Sequence, residues 1–416
     1  MNILLPIETI NRELDFKLVL AGYLAGQGHQ IYIGQHDFLM KLVPSINNGG
    51  IYIGKNIFNT HADEEKGEKY YLLKKKNFDI IYLNEEGSVF FKGEENMIKT
   101  FNKQYNLDFF DENDKICVWG DLQQKLEQRR SEKLEIHCTG HPRFDLCKKE
   151  WHYLYKSKVD TIKKTYNDFI LINGNFCAAN PGFGIENFFN KEIMNNEKER
   201  LKKVEEFAFQ SKQLVSMVKL THRLASIFPE LNFIYRPHPS EDHNFYKIIF
   251  SGVKNIYVKH DGNVINWIIA SRLLIHDGCT TAIEATLAGI PVVNYKSNFD
   301  ETRDIWLPNQ MGKQINNVDE IISYIEKIDR EDLHSITYPE SEEILECLYN
   351  FKGSSYEAFL KIINQKTVRN KTNSEVPSLK IKKFFLVQSI RDYLIKILIP
   401  HKKKKFILSS HKILWI

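Results

Sequence analysis

Hydrophobic and polar positions alternate along the first ~340 residues in two periods. Short apolar, β-branched runs read as buried strands, and longer stretches repeat at helical spacing. The first series of runs is Asn2–Leu5, Gln30–Gly34, Gly50–Gly54, Asp79–Leu83, Lys115–Trp119 and Leu134–Thr139. Between its first two members, Leu14, Leu18, Leu20, Ala21 and Leu24 fall at helical spacing and predict a helix ending at Gly26. A second series follows at Asp168–Asn173, Asn232–Tyr235, Asn255–Val258, Leu273–Ile275 and Pro291–Tyr295, with helices expected at Glu197–Phe228, Val264–Ser271 and Thr280–Ala288. Strands alternating with helices imply parallel sheets flanked by helices. Two such series in 416 residues imply two doubly wound domains joined near Trp151–Tyr166. No internal repeat interrupts the pattern.

In open parallel sheets, ligands bind beyond the carboxyl ends of the strands, and the unusual polar residues of this chain cluster there. Leu83 is followed by Asn84-Glu85-Glu86-Gly87, and Ile172 by Asn173-Gly174-Asn175-Phe176. Tyr235 leads into Arg236-Pro237-His238-Pro239, and Ile275 into His276-Asp277-Gly278-Cys279-Thr280-Thr281.

The last of these is the most informative. Gly278 permits a tight turn, and Thr280 and Thr281 open a helix whose N–H groups and hydroxyls suit a phosphate. The plainer reading makes Thr280 an N-cap, with Glu284 near the end of the first turn. The strand beginning at Gly289-Ile290-Pro291 completes a unit of nucleotide-binding length and favours the anion site. Two prolines fix where His238 points, so its imidazole can donate to a phosphate or assist a leaving group. An isolated His-Pro pair is only a rigid turn, and a second one occurs at His141-Pro142. Glu85 and Glu86 place two acids in one turn, where each raises the other's pKa; one is a candidate base or nucleophile, against a solvated acidic turn. Arg143 and Asp145 read as an ion pair fixing the interdomain connection. Glu8, Arg12 and Asp15 either line an acceptor side or support the first helix.

Several signatures are missing. The chain has no GxxxxGK[ST] loop, no GxSxG elbow and no Asp-x-Asp pair for a divalent metal; Pro181-Gly182-Phe183-Gly184 is a poor match to GxGxxG. Six scattered cysteines without a CxxC pair suggest neither zinc nor a disulfide framework. Neither metal nor cofactor is expected.

The segments LLPIETINRELDFKLVLAGYLAGQGHQIYIG, NEEG, GHPRFD, RPHPSED and HDGCTTAIEATLAGIPVV resemble, in order from Asn2 to Trp306, the bacterial surface carbohydrate biosynthesis proteins. These are GT-B-type glycosyltransferases related to the capsular Kdo transferases. The resemblance implies two Rossmann-like domains facing a central cleft. It implies transfer of Kdo, or a related 3-deoxy-ulosonic or sialic-type acid, from a CMP-activated donor that is a substrate rather than a cofactor. Nucleotide binding would fall to Asn173, Arg236, His238, Gly278, Thr280, Thr281 and Glu284, with Glu85 or Glu86 as the acid of the acceptor domain and His238 also catalytic. The acid is a nucleophile in a retaining enzyme and a base in an inverting one. Two positions depart from the family: His141 stands where Asn is usual, and Asn84 where an acid is commoner. A CDP-glycerol polymerase-like transferase, or a non-catalytic carbohydrate-binding partner of an assembly complex, would use the same turns.

Charge changes the picture only at the end of the chain. The net charge is +4, but the segment from Lys366 to Ile416 has 13 Lys and Arg against Glu375 and Asp392, so it carries +11 and the remainder −7. A mildly acidic body excludes a nucleic-acid partner. Lys382-Lys383 and Lys402–Lys405, interleaved with Phe384, Phe385, Leu394, Phe406 and Trp415, suit an anionic membrane surface, where a lipid-linked polysaccharide or glycolipid acceptor is expected. The N-terminus lacks the basic start and apolar core of a signal peptide. The resulting expectation is a cytoplasmic protein peripheral to the inner face of the membrane. Its domains are an acceptor domain at 1–160, a nucleotide domain at 161–345, a helix and linker at 346–379 and a basic amphipathic tail at 380–416.

Overall fold

The computed structural model of the chain describes residues 1–55, 57, 67–85, 87, 90–189, 196–328, 339, 341–367 and 414–415. Two sheets organise it. The first carries β1 (Asn2–Ile7), β2 (Gln30–Gln35), β3 (Gly50–Gly54), β4 (Phe78–Leu83), β5 (Lys115–Val118) and β6 (Glu135–Cys138). The second carries β7 (Phe169–Gly174), β8 (Asn232–Arg236), β9 (Ile256–Val258), β10 (Leu273–Asp277), β11 (Val292–Tyr295) and β12 (Lys313–Ile315). All pairings within these two sets are parallel. A two-residue strand β13 (Leu414–Trp415) adds antiparallel to the free edge of β2. The doubly wound architecture expected from the alternation is therefore present, and each expected strand appears within a residue or two of its place. The short polar β12, Lys313-Gln314-Ile315, gave no apolar signal.

The strand order locates the ligand-binding edge of each sheet. In the second sheet the order β12-β11-β10-β7-β8-β9 reverses between β7 and β10. In the first, β2-β1-β3-β4-β5-β6 reverses between β1 and β3. Loops leave in opposite directions at such a point and open a crevice beyond the carboxyl ends of the two strands.

Burial explains why the strands read as continuous apolar runs. Every residue of β1 and β7 is buried, as expected for parallel strands covered on both faces. Ile170, Ile172, Phe233, Tyr235, Leu273 and Ile275 form one core with Leu214, Met217, Leu220 and Leu224 of the helix Glu197–Ile227. Those four helical positions recur every three or four residues and form a single stripe. Among the described residues, no helix is long and apolar enough to cross a membrane.

The compact units differ from the expected domains. One comprises Met1–Gly87, Phe101–Arg143 and the chain from Leu348, and the other 88–100 and Phe144–Cys347. The helix Lys156–Tyr166, expected at the joint, lies wholly inside the second unit. Residue 90 joins that unit too, because Trp306 N–H donates to the Phe90 carbonyl (3.1 Å). Residues 348–356, within the helix and linker expected at 346–379, belong to the first unit. Tyr349 N–H donates to the Trp119 carbonyl (2.7 Å), and Tyr356 Oη to that of Phe16 (3.3 Å). The tail at 380–416 lies outside the described residues, apart from Leu414–Trp415.

Candidate functional site

In the first unit, the polar residues at the carboxyl edge of the sheet converge on Glu85. This residue follows β4 and is 2% exposed. His141, beyond β6 and fully buried, puts Nε2 3.0 Å from Glu85 Oε2. Lys17 Nζ lies 3.8 Å from Oε1 and 2.8 Å from Glu13 Oε2, and it also donates to the Pro6 carbonyl. Glu13 accepts the N–H groups of Glu8 and Thr9, both at 3.1 Å, which ties the first helix to the end of β1. Burial by itself would raise the Glu85 pKa, but His141, Lys17 and Arg143 outweigh it and hold the carboxyl well below the usual range. Glu85 is thus a carboxylate in the folded protein. His141 approaches it off the line of a good hydrogen bond, and neither Glu85 oxygen accepts an aligned hydrogen bond from the described residues.

The other expected residues of this unit are placed as follows. Glu86 lies outside the described residues. Glu8 meets Lys55 Nζ at 3.5 Å across the point where the strand order reverses, and Arg12 reaches Glu13 at 3.6 Å. The guanidinium of Arg143 lies over the Trp119 ring, 5.7 Å from its centre. Asp145 belongs to the second unit, where Lys148 is its partner at 3.2 Å.

In the second unit, the reversal between β7 and β10 brings together residues 108 positions apart. Asn173 Nδ2, on β7, donates to Thr281 Oγ1 at 3.0 Å. The turn between β10 and the helix Thr281–Ala288 contains Gly278 at φ +62°, and its N–H donates to Asn309 Oδ1 (2.9 Å). The Thr280 hydroxyl makes no capping hydrogen bond, so the plain N-cap reading does not account for it. Glu284 is buried in the same helix.

His238 is oriented by a device that the sequence did not announce. Glu241 accepts the N–H groups of His238 (2.9 Å) and Phe176 (3.4 Å) and the hydroxyl of Tyr246, binding the turn after β8 to the turn after β7. His238 Nδ1 accepts the Ser240 N–H at 3.2 Å and lies 3.1 Å from Cys177 Sγ. With Nδ1 accepting, the neutral ring carries its proton on Nε2. Arg236 is committed differently. Its two terminal nitrogens donate to the Asp261 and Gly262 carbonyls (3.0 and 2.8 Å), and burial lowers its pKa to about 10, leaving it charged. It holds the loop after β9.

Beneath the threonine turn, burial raises Asp277 to about 8, helped by the charge of Asp304, while Gln213 and Lys296 pull the other way. Burial also lowers His276 to about 3, so that it is a neutral core residue.

His141, Lys17, Glu13 and Glu241, which stand against the expected residues Glu85 and His238, were not nominated as candidates by sequence reasoning. For Glu13 and Lys17 a signal existed: two charges at i and i+4 share a face with Phe16, Leu20 and Leu24. For His141 it was the second His-Pro pair at a strand end.

No family model matches the chain, and no curated protein matches it. Solved structures share its fold. The UDP-GlcNAc 2-epimerase from Methanocaldococcus jannaschii superposes with a TM-score of 0.52 at 12% identity, covering 88% of this chain and 99% of that one. The wall teichoic acid polymerase TagF superposes with a TM-score of 0.52 at 10% identity, covering 89% and 90%. At such identities the likeness establishes the fold, a GT-B-like pair of Rossmann-like units, and leaves the ligand open.

Proposed function

We propose that this chain is a glycosyltransferase that moves Kdo, or a related 3-deoxy-ulosonic or sialic-type acid, from a CMP-activated donor to a surface polysaccharide acceptor. The observation that carries the reading is Glu85, a buried carboxylate just beyond the carboxyl end of β4, kept ionised by His141, Lys17 and Arg143. A perturbed carboxylate at the ligand-binding edge of a parallel sheet is what a glycosyl transferase would use as its reacting acid. The nucleotide and the acidic sugar come from the resemblance of the sequence motifs. In the second unit, Thr280 and the N–H groups at the helix start, that of Thr281 included, suit the phosphate, His238 Nε2–H is a donor to it, and the Thr281 hydroxyl, accepting from Asn173 and donating to Cys279 Sγ, holds the turn in place. Glu284 and Gly278 belong to the same nucleotide site, and Arg236 shapes it through the loop after β9.

A base works best with a pKa near the working pH, and Glu85 lies far below it. The carboxylate therefore suits a nucleophile better. One of its oxygens bonds the anomeric carbon as the bond to the phosphate oxygen breaks and CMP leaves. The acceptor hydroxyl then attacks the same carbon, the bond to Glu85 breaks, and the hydroxyl proton passes to solvent or a neighbouring base. Two displacements retain the anomeric configuration. The absence of an Asp-x-Asp pair fits transfer without a metal. A second reading, transfer of glycerol phosphate from CDP-glycerol, is favoured by the shared fold with the wall teichoic acid polymerase. Peripheral attachment through the basic tail would bring the enzyme to a lipid-linked acceptor.

Nucleotide-dependent thermal unfolding tests the reading, because a ligand of the native state raises the melting temperature. CMP should raise it with or without EDTA, and UDP and GDP should do much less. A shift with UDP and none with CMP would refute the donor class, and CDP-glycerol turnover without CMP-sugar turnover would select the second reading.

A further inference from the structure

His141 has no exposed surface, and the groups around it hold it still. Its backbone N–H donates to Asn350 Oδ1 (2.9 Å), and its carbonyl accepts from Asn350 Nδ2 (3.1 Å). Phe16 meets the ring edge-on with centroids 5.0 Å apart, and Trp119 does so at 5.6 Å. Nδ1 accepts the Arg143 N–H at 3.1 Å. A ring nitrogen that accepts carries no proton, so the neutral imidazole has its hydrogen on Nε2, the atom 3.0 Å from Glu85 Oε2.

We infer that His141 is a positioning residue: as the neutral Nε2–H tautomer, it turns the N–H dipole toward the Glu85 carboxylate from 3.0 Å, favours its ionised form and limits where its oxygens can lie. The inference rests on Glu85 being the reacting carboxylate. The charged groups around the pair agree with it. Lys17 approaches Glu85 from the first helix, and Arg143 acts on it from the chain after β6, so a second full charge on His141 would be opposed by both. Burial disfavours the imidazolium further, although Glu85 pulls the other way. A neutral donor therefore sits beside an anion, flanked by two cations. Proximity to Arg143 N–H fixes the tautomer, Asn350 fixes the backbone, and the two aromatic rings fix the plane. Asn350 lies 209 residues along the chain, so closing this arrangement requires the returning C-terminal segment.

The test separates this role from mere filling of space. His141→Phe keeps an aromatic ring and removes the donor, and His141→Gln restores an N–H near the Nε2 position. Glu85 protonation is followed by carboxyl 13C resonances of the full chain, assigned by the signal missing in Glu85→Gln. Expected in His141→Phe is a rise of the Glu85 midpoint by about one pH unit or more, tenfold in its equilibrium constant. The acid limb of CMP-sugar turnover should rise with it, and His141→Gln should reverse part of both. A folded His141→Phe with an unmoved carboxyl midpoint overturns the inference. If the midpoint moves but Glu85→Gln retains full turnover, the role of Glu85 fails while the coupling to His141 stands. Should His141→Phe not fold, the imidazole 15N spectrum of the wild type decides. The Nε2–H tautomer is expected from about pH 5 to about pH 8, and an imidazolium or an Nδ1–H ring there overturns the inference.

Discussion

Replacing Asp277 by asparagine should stabilise the protein, and by more as pH rises. Asp277 is buried at the end of β10, and burial, followed by the charge of Asp304, lifts its pKa from 3.8 to about 8. Between those values the native state holds a proton that the unfolded chain has released. More protons bound in the native state means that stability falls as pH rises through this window and levels off above it. Each pH unit is worth about 1.4 kcal/mol, so the cost is on the order of 3 kcal/mol at about pH 6 and 6 kcal/mol above about pH 8. Asparagine resembles the protonated acid in shape and cannot ionise. Its carbonyl can still accept from Gln213 Nε2, which now donates to Asp277 Oδ2 at 3.0 Å. Its amide would offer a donor where Asp304 now opposes a second carboxylate. Two units need not unfold together, so the assay is hydrogen exchange of the β10 and β11 amides in both proteins at about pH 5, 7 and 9, corrected for intrinsic rates. The difference in opening free energy should grow with pH and stop growing above about pH 8. An Asp277→Asn protein that opens more readily at alkaline pH, or a difference independent of pH, would refute the reasoning, because Asp277 would then be a satisfied carboxylate.

Glu85→Gln should lower turnover by about a hundredfold or more while leaving CMP affinity, assigned to the other unit, within about twofold; near-normal turnover would return Glu85 to a structural role. Asn350→Ala removes two hydrogen bonds to the His141 backbone and one to Ser355 Oγ (2.8 Å), so denaturant titration should show a loss of about 2–4 kcal/mol in the first unit. Replacing Lys402–Lys405 by glutamine, which leaves the Leu414–Trp415 pairing with β2 in place, should release the protein from anionic vesicles at low salt, with turnover on a soluble acceptor retained. Wild-type protein that ignores such vesicles at low salt would refute the membrane reading.

The strands and their order along the chain were legible because buried parallel strands are written as apolar runs, and Phe169–Gly174 is buried at every position. Lys313–Ile315 was not, since two of its three residues are exposed and only its main chain joins the sheet. The return of the chain from Leu348 to the first unit was not legible for a related reason. Local periodicity says where a helix is, not what it packs on, and Asn350 and Tyr356 declare their unit only through partners at His141 and Phe16.

The candidate site divides along the same line. Turns such as Gly278–Thr281 announce themselves because their residue types are demanded locally: Gly278 adopts a left-handed φ of +62° in open space, a conformation in which a side chain would be strained even though it would meet little. Glu85 was visible as an acid at a strand end. Its state was not, because repulsion from Glu86 argues for a raised pKa, whereas His141 and Lys17 lower it. Those two side chains lie 56 residues after it and 68 before it in the chain. Whether a strand-end carboxylate is a solvated turn or an ionised reactant is thus decided by residues that sequence proximity cannot nominate. The same holds for Glu241, which reads as one more surface acid in Ser240-Glu241-Asp242 until the fold sets it beneath both His238 and Phe176. Reactive-looking residues are local features of a sequence, and the groups that set their charge and direction are features of topology. Substitutions at His141, Lys17 and Glu241 should accordingly change what Glu85 and His238 do, without touching either residue.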